Sequence, residues 1–268
     1  MPSYREWISG FRELGLGPHS RVLVHASLAP FQPDAGGPEA LLGALTATCE
    51  IILTPAFTSE TLVVPPFGPA YNGLRYGDHP ANRDAVIFHS DLPVDPLLAD
   101  LAEPMRRYPQ ASRSGHPALS FCGLRAAQAL AAQSLEEPLG PVRWMAEADA
   151  DVLLIGADHR RNIGIHHAEH LAGRRQFVRW ALTERGAVTC GQFPGCPDGF
   201  NAISPRLEGI ARQATVSGQE ITAIPLRDLV HVAAGWIRED PRALLCDRPG
   251  CERCADVRQS VRADAGSR

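Results

Sequence analysis

The chain has 268 residues, is 44% hydrophobic and 21% charged, and carries a formal net charge of −4. Those values describe a globular protein able to bury a substantial core and exclude a disordered or fibrous chain. No basic block exists to grip a phosphate backbone and no apolar run reaches a bilayer's width, so neither nucleic acid nor membrane is an expected partner.

Tyr4 to Leu14 reads as an amphipathic helix, with Trp7, Phe11 and Leu14 on one side and Gly15 and Gly17 beyond its end. Arg21 to His25 (R-V-L-V-H) is the first buried strand and leads into Ala26, Ser27 and Leu28. Gly36-Gly37 opens a helix through Thr48, and Ile51 to Leu53 is the next strand, ending in Thr54-Pro55-Ala56-Phe57-Thr58. Strand, helix, strand predicts a parallel crossover whose strand ends face a ligand crevice. Residues 58–94 form a long Pro-, Gly- and Asn-rich loop in which Asn72, Tyr76, Asp78, His79 and Asp84 are polar candidates. A helix over Pro96 to Tyr108 precedes Ala111 to Pro117, where Arg113 beside Ser112 and Ser114 suits a phosphate or a salt bridge. A strand at Ala118 to Cys122, helices at Arg125 to Ser134 and Pro141 to Ala148, and a strand at Val152 to Ile155 follow. Gln176 to Leu182 and Ala187 to Cys190 read as a hairpin, Ala202 to Ala214 as a helix, Glu220 to Ile224 as a strand and Leu226 to Arg238 as a helix. The predicted architecture is an α/β domain over residues 1–245, with a mixed central sheet flanked by helices. A Cys-rich tail over 246–268 packs on it or trails from it.

The densest chemistry lies at 151–170, D-V-L-L-I-G-A-D-H-R-R-N-I-G-I-H-H-A-E-H. A strand closed by Gly156 runs into a polar loop and then a helix on which His166, Glu169 and His170 share a face, while His167 points elsewhere. Three readings compete. The first is a solvated polar helix start, the usual place for an isolated His. The second is a metal site, because His166-x-x-Glu169-His170 has the H-x-x-E-H form of inverted zinc metallopeptidases, although no third ligand stands out; Glu184 and Glu208 lie in no convincing motif. The third is metal-free base catalysis, with His166 taking a proton and Glu169 orienting it. The absence of any Lys removes a Schiff-base alternative.

The seven Cys fit thiols or metal ligands better than disulfides if the protein is cytoplasmic, which the lack of a signal-peptide segment leads us to expect. Cys246-x4-Cys251-x2-Cys254 is a compact cluster, and Cys196 or Cys190 is the candidate fourth ligand for a structural zinc. The alternative is three free thiols in a loose tail. Cys49 and Cys122 sit in apolar patterns and read as core.

Taken together, V-H-A-S-L (24–28), T-P-A-F-T (54–58), R-S-x-H-P-x-x-S (113–120), V-L-L-I-G (152–156) and N-x-x-x-H-x-A-E (162–169) resemble, in this order, the aminoglycoside 3-N-acetyltransferase family. The resemblance covers about residues 4 to 240. It implies an antibiotic-N-acetyltransferase-like α/β fold, acetyl-coenzyme A as co-substrate and a small-molecule amine acceptor such as an aminoglycoside, hence antibiotic resistance as a role. It further implies His166 as general base with Glu169 as its carboxylate partner, in direct transfer within a ternary complex. By the same resemblance His25, Ala26, Ser27, Leu28, Arg113 and Ser114 line the coenzyme A site. The family pattern's Thr is missing where N-T-S-L-H becomes Asn162-Ile163-Gly164-Ile165-His166, and another hydroxyl is missing where a Ser-Pro becomes Gly140-Pro141. The other readings are a zinc metallopeptidase using His166, Glu169 and His170, or a catalytically silent relative that binds a ligand. A homodimer is compatible with the sequence.

Overall fold

A computed structural model describes residues 2–31, 36–77 and 79–266, the side chains of Ala81 and of 262–266 aside. The elements in chain order are α1 (Tyr4–Glu13), β1 (Arg21–Ala26), α2 (Gly37–Thr48), β2 (Ile51–Pro55), β3 (Leu62–Val63), α3 (Ala99–Arg107), β4 (Ala111–Arg113), β5 (Phe121–Leu124), α4 (Ala127–Ala131), α5 (Gly140–Glu147), β6 (Asp151–Ile155), α6 (Ile163–Leu171), β7 (Phe177–Thr183), β8 (Gly186–Phe193), β9 (Arg212–Val216), β10 (Gln219–Pro225), α7 (Leu226–Glu239) and α8 (Glu252–Gly266).

Seven strands form the main sheet in the order β4-β5-β2-β1-β6-β10-β9. Its centre, β2-β1-β6, is parallel, with Leu23 opposite both Leu53 and Val152. β5 and β10 then run antiparallel against the two flanks. The inner positions of the central strands are buried and, but for His25 and Thr54, apolar, because helices cover both faces of the sheet. On one face Val22, Val24, Ile52, Leu153 and Ile155 meet Trp7, Phe11, Leu41, Leu45 and Met105 from α1, α2 and α3. On the other, Leu23, Leu53, Val152 and Leu154 meet side chains of α5, α6 and α7. Burying that much apolar surface, at about 25 cal/mol per Å², is what holds the sandwich together. α1 enters it through a capping box in which Ser3 and Glu6 satisfy each other's backbone N–H groups, as its opening S-x-x-E would suggest. A second sheet, β3-β7-β8, stands apart and carries the hairpin expected at 176–190.

Three sequence expectations move. The helix expected at Ala202 to Ala214 is a 3-10 run at Phe200–Leu207 followed by β9; Pro205 lacks a backbone donor and Gly209, at φ +78°, turns the chain out of helix. The strand expected at Ala118 to Cys122 is displaced to Phe121–Leu124, because Pro117, Ala118 and Leu119 form a turn in which His116 Nδ1 accepts from the Ala118 and Leu119 N–H groups. The C-terminal residues form α8, so Cys251 and Cys254 do not lie in a loose tail.

Candidate functional site

The loop between β6 and α6 positions the chemistry. β6 ends at Gly156, whose φ of +55° and the Ser27 carbonyl 2.2 Å from where a Cβ would stand together demand glycine. Asp158 caps the 3-10 turn His159–Arg161, and Asn162 caps α6 by accepting from the Gly164 N–H at 3.1 Å. α6 therefore starts directly above the central strand, one turn before His166. Gly164 allows that start to lie flat on α7, since a Cβ there would stand 2.8 Å from Leu226 Cδ1.

His166 and Glu169 are 5% and 2% exposed. Nδ1 of His166 lies 2.6 Å from Glu169 Oε2, and Arg174 Nη1 donates to Glu169 Oε1 at 2.8 Å. Arg174 is anchored in turn on the carbonyls of Pro241 and Ala243, at 3.0 and 2.6 Å. Burial alone would raise the Glu169 carboxyl, but the neighbouring His166 and Arg174 outweigh it and hold it below the ordinary carboxylate range. With Glu169 ionised, the proton of neutral His166 belongs on Nδ1, which leaves Nε2 as an acceptor with no partner among the described residues. The ring packs edge-on to Phe200, centroids 4.7 Å apart.

His166 opens on a cavity of about 330 Å³. Its walls are mostly apolar, from Phe57, Leu97, Leu119, Ile163, Phe193 and Pro194, and its charged groups are Asp95, Arg160, Arg161 and Arg253. A larger groove of about 620 Å³ runs behind Arg174 between α6, α7 and α8, but neither His166 nor Glu169 lines it.

The other sequence candidates sit around this cavity rather than in it. His25 is buried under the start of α6, its Nε2 accepting the Ile163 N–H at 3.4 Å; burial first, then Arg161 and His159, push it down to about 3. Ala26, Ser27 and Leu28 are buried, and the Leu28 N–H is held by Asp100 Oδ2 at 2.7 Å. Arg113 donates to Ser120 Oγ and to the carbonyls of Ser90, Leu92 and Ala56 at 2.5–3.2 Å, which engages four of its five N–H groups. Ser114 Oγ accepts from the Phe121 N–H. Asn72 is buried and pins its loop to Val178 of β7, Tyr76 bonds Asn72 and the Pro69 carbonyl, and Asp84 is exposed; Asp78 lies outside the described residues. His170 is exposed on the far side of α6, lining a small crevice with His167, so the three-residue face expected for a metallopeptidase does not converge. Among the described residues, the one group of His, Cys and carboxylate side chains placed to hold a metal is Cys196, Cys246, Cys251 and Cys254; Cys190 is buried elsewhere, within β8. Arg174 carries no motif, and only its place just past the helix-ending Gly173 could have marked it. The Phe193–Pro197 wall was likewise invisible as a site.

A buried histidine–carboxylate pair above a central strand of a mixed α/β sheet thus opens on a cavity, where ligands collect in such folds. Residues 23–238 match the aminoglycoside 3-N-acetyltransferase family of acyltransferases, and the chain belongs to it. Aminoglycoside N(3)-acetyltransferase IV of Salmonella sp is 32% identical, with 90% of this chain and 89% of that protein covered. Aminoglycoside N(3)-acetyltransferase VII of Streptomyces paromomycinus is 29% identical over 84% and 88%. The solved structure of aminoglycoside acetyltransferase AAC(3)-IVa superposes with a TM-score of 0.78 as apoenzyme, at 26% identity over 97% of this chain and 98% of that one. A histidine-to-alanine mutant of the same protein, in complex with a gentamicin, superposes with a TM-score of 0.75 at 25% identity and the same coverage.

Proposed function

We propose that this protein moves an acetyl group from acetyl-coenzyme A to an amine of an aminoglycoside or aminoglycoside-like acceptor, in a ternary complex, with His166 as general base. The observation that carries the reading is the buried relay Arg174–Glu169–His166, in which the imidazole Nε2, without a partner among the described residues, belongs to a residue of the cavity wall. Relatives named aminoglycoside N(3)-acetyltransferases and a neighbour solved with gentamicin support the acceptor class.

In this reading Glu169 fixes the ring with Nδ1–H toward itself, and Nε2 takes the proton from the amine as its nitrogen attacks the thioester carbonyl. The tetrahedral oxyanion collapses, the C–S bond breaks, and the proton held by His166 passes to the departing coenzyme A thiolate. Arg174 keeps Glu169 ionised throughout, so the imidazolium formed in transit faces a full negative charge. Apolar walls with Arg160, Arg161 and Arg253 among their charged groups suit a donor that carries phosphates behind a narrow pantetheine arm. Asp95 is the one carboxylate lining the cavity among the described residues and so its natural contact for an acceptor ammonium. Holding both substrates side by side in a dry site supplies a large share of the acceleration.

The test is thiol release from acetyl-coenzyme A by purified protein over a panel of aminoglycosides and simpler amines, alongside His166→Ala. Amine-dependent release, lost in the variant while acetyl-coenzyme A still raises its melting temperature, is the expected result. Full activity of His166→Ala would overturn the base assignment, and no release or stabilisation with any acceptor would overturn the transferase reading.

A further inference from the structure

Cys196, Cys246, Cys251 and Cys254 come from three places: the loop after β8, the loop after α7, and the start of α8. Their sulfurs lie within 4.8 Å of one another, Cys196 and Cys246 being 3.8 Å apart, and none is in a disulfide. Four thiolates arranged tetrahedrally at about 2.3 Å from one ion stand about 3.8 Å from each other. All four are at most 8% exposed, so the cluster is closed to solvent and to substrate.

α8 gives a second, independent reason. Of its described side chains only Cys254 and Val257 are buried, so apolar packing alone is a poor anchor for a 15-residue helix. The helix is nonetheless tied to the body at its first turn. Gly73 N–H donates to Asp256 at 2.7 Å, and Arg253, between two of the cysteines, donates from Nη1 to the Gly195 carbonyl at 2.9 Å. Gly195 precedes Cys196, and both Gly195 and Arg253 line the cavity of His166.

We infer that Cys196, Cys246, Cys251 and Cys254 hold one zinc ion in a closed structural centre, and that this centre fixes the cavity wall made by Phe193, Pro194, Gly195, Pro197 and Arg253. The metal centre does not depend on the transfer reading. Soft thiolates select zinc or iron among common ions, and a fully closed site with no open position assigns the metal to structure rather than to chemistry.

The test uses the full chain purified without chelator. Elemental analysis gives about one zinc per chain, and replacing zinc by Co²⁺ produces thiolate-to-cobalt charge-transfer absorption. Because Cys254→Ser can fail to fold, Cys196→His, which keeps four ligands, is the second variant and retains the metal. Extracting zinc from the wild-type protein speeds amide hydrogen exchange in 191–199 and 251–257 by roughly tenfold or more while β1 and β6 stay protected. Absence of zinc together with silence toward Co²⁺, or iron in its place, overturns the centre. Zinc whose removal leaves exchange at 191–199 unchanged overturns its hold on the wall. Neither result touches acetyl transfer, which thiol release reads separately.

Discussion

Glu169→Gln exchanges one oxygen for nitrogen at constant volume, at a position 2% exposed. The amide oxygen has to remain toward Arg174, whose Nη1 can only donate, and this turns the amide NH₂ toward His166 Nδ1. Two donors cannot face each other, so Nδ1 gives up its proton and Nε2 carries it instead. His166 then offers the cavity an N–H where the reaction needs a lone pair. The expected fall in kcat is about 10²–10⁴, spanning the loss of one general base and the cost of a wrong tautomer in a histidine–carboxylate pair. Stability falls as well, because a guanidinium 3% exposed loses its counter-charge; removing one partner of such a pair costs about 3–5 kcal/mol, with retained hydrogen bonds keeping Gln at or below the lower end. The pH sign follows from the direction of the shift. A carboxyl held below its ordinary value contributes stability that is present above its unfolded-state pKa and lost as pH falls through the folded one, so the deficit of Glu169→Gln shrinks in acid. The assay is thiol release for kcat and KM beside urea denaturation at neutral and acidic pH. A kcat within about threefold of wild type, with the fold intact, would refute the tautomer argument.

Acid should destabilise the wild-type protein well before its carboxylates titrate. Burial, the first cause in each case, pushes His25 down to about 3 and His116 and His167 to about 4, so all three are neutral in the fold and bind protons when unfolded. Their stabilisation is complete above about pH 6.5 and is lost as pH falls toward 4; the three together account for about 3–4 kcal/mol between pH 7 and 5.5, and a flat urea midpoint over that window would contradict it. Gly140→Ser, which restores a family hydroxyl, places a Cβ 1.9 Å from the Ala132 carbonyl and is expected to cost about 2–3 kcal/mol or more by thermal denaturation; a neutral result would show that the α4–α5 turn yields. Ile163→Thr puts the other family hydroxyl on the cavity wall at a loss of about 1–2 kcal/mol of stability, and kcat is expected to hold or rise; a fall in kcat with unchanged KM would mean that the apolar wall itself serves the transition state.

The central layer was legible because its strands are short apolar runs bounded by turn residues, and because periodicity distinguishes α1, α2 and α7 from them. Strand direction was less legible. β5 and β10 carry the same apolar pattern as the parallel strands, and only the long-range pairing of β5 with β2 and of β10 with β6 makes them antiparallel. His166 and Glu169 could be paired from their spacing of three, since one helical turn brings such side chains together. Arg174 could not, because its reach to Glu169 depends on the chain reversing after Gly173 and on two carbonyls some 70 residues away. Arg113 illustrates the opposite hazard. Its setting among hydroxyls reads as an anion site, and the fold gives the guanidinium three carbonyls from two loops to hold together.

The departures from the family pattern have unequal weight once they are placed in the fold. Gly164 eases the close approach of α6 to the Leu226 and Leu229 side chains, which would have to shift for a Cβ, and Gly140 is required by the Ala132 carbonyl, so packing disfavours a hydroxyl at the first position and excludes one at the second. These two glycines therefore say little about chemistry. Ile163 is different, because its side chain lines the cavity next to His166 while its N–H is taken by His25. Neither a hydroxyl nor that backbone donor is available there to a developing oxyanion. On the proposed reading, stabilisation of the tetrahedral intermediate falls to another donor facing the cavity, and the guanidiniums of Arg160, Arg161 and Arg253 are the charged donors that line it. If Arg253 is the one that serves, the cysteine cluster flanking it stands behind the rate as well as the fold.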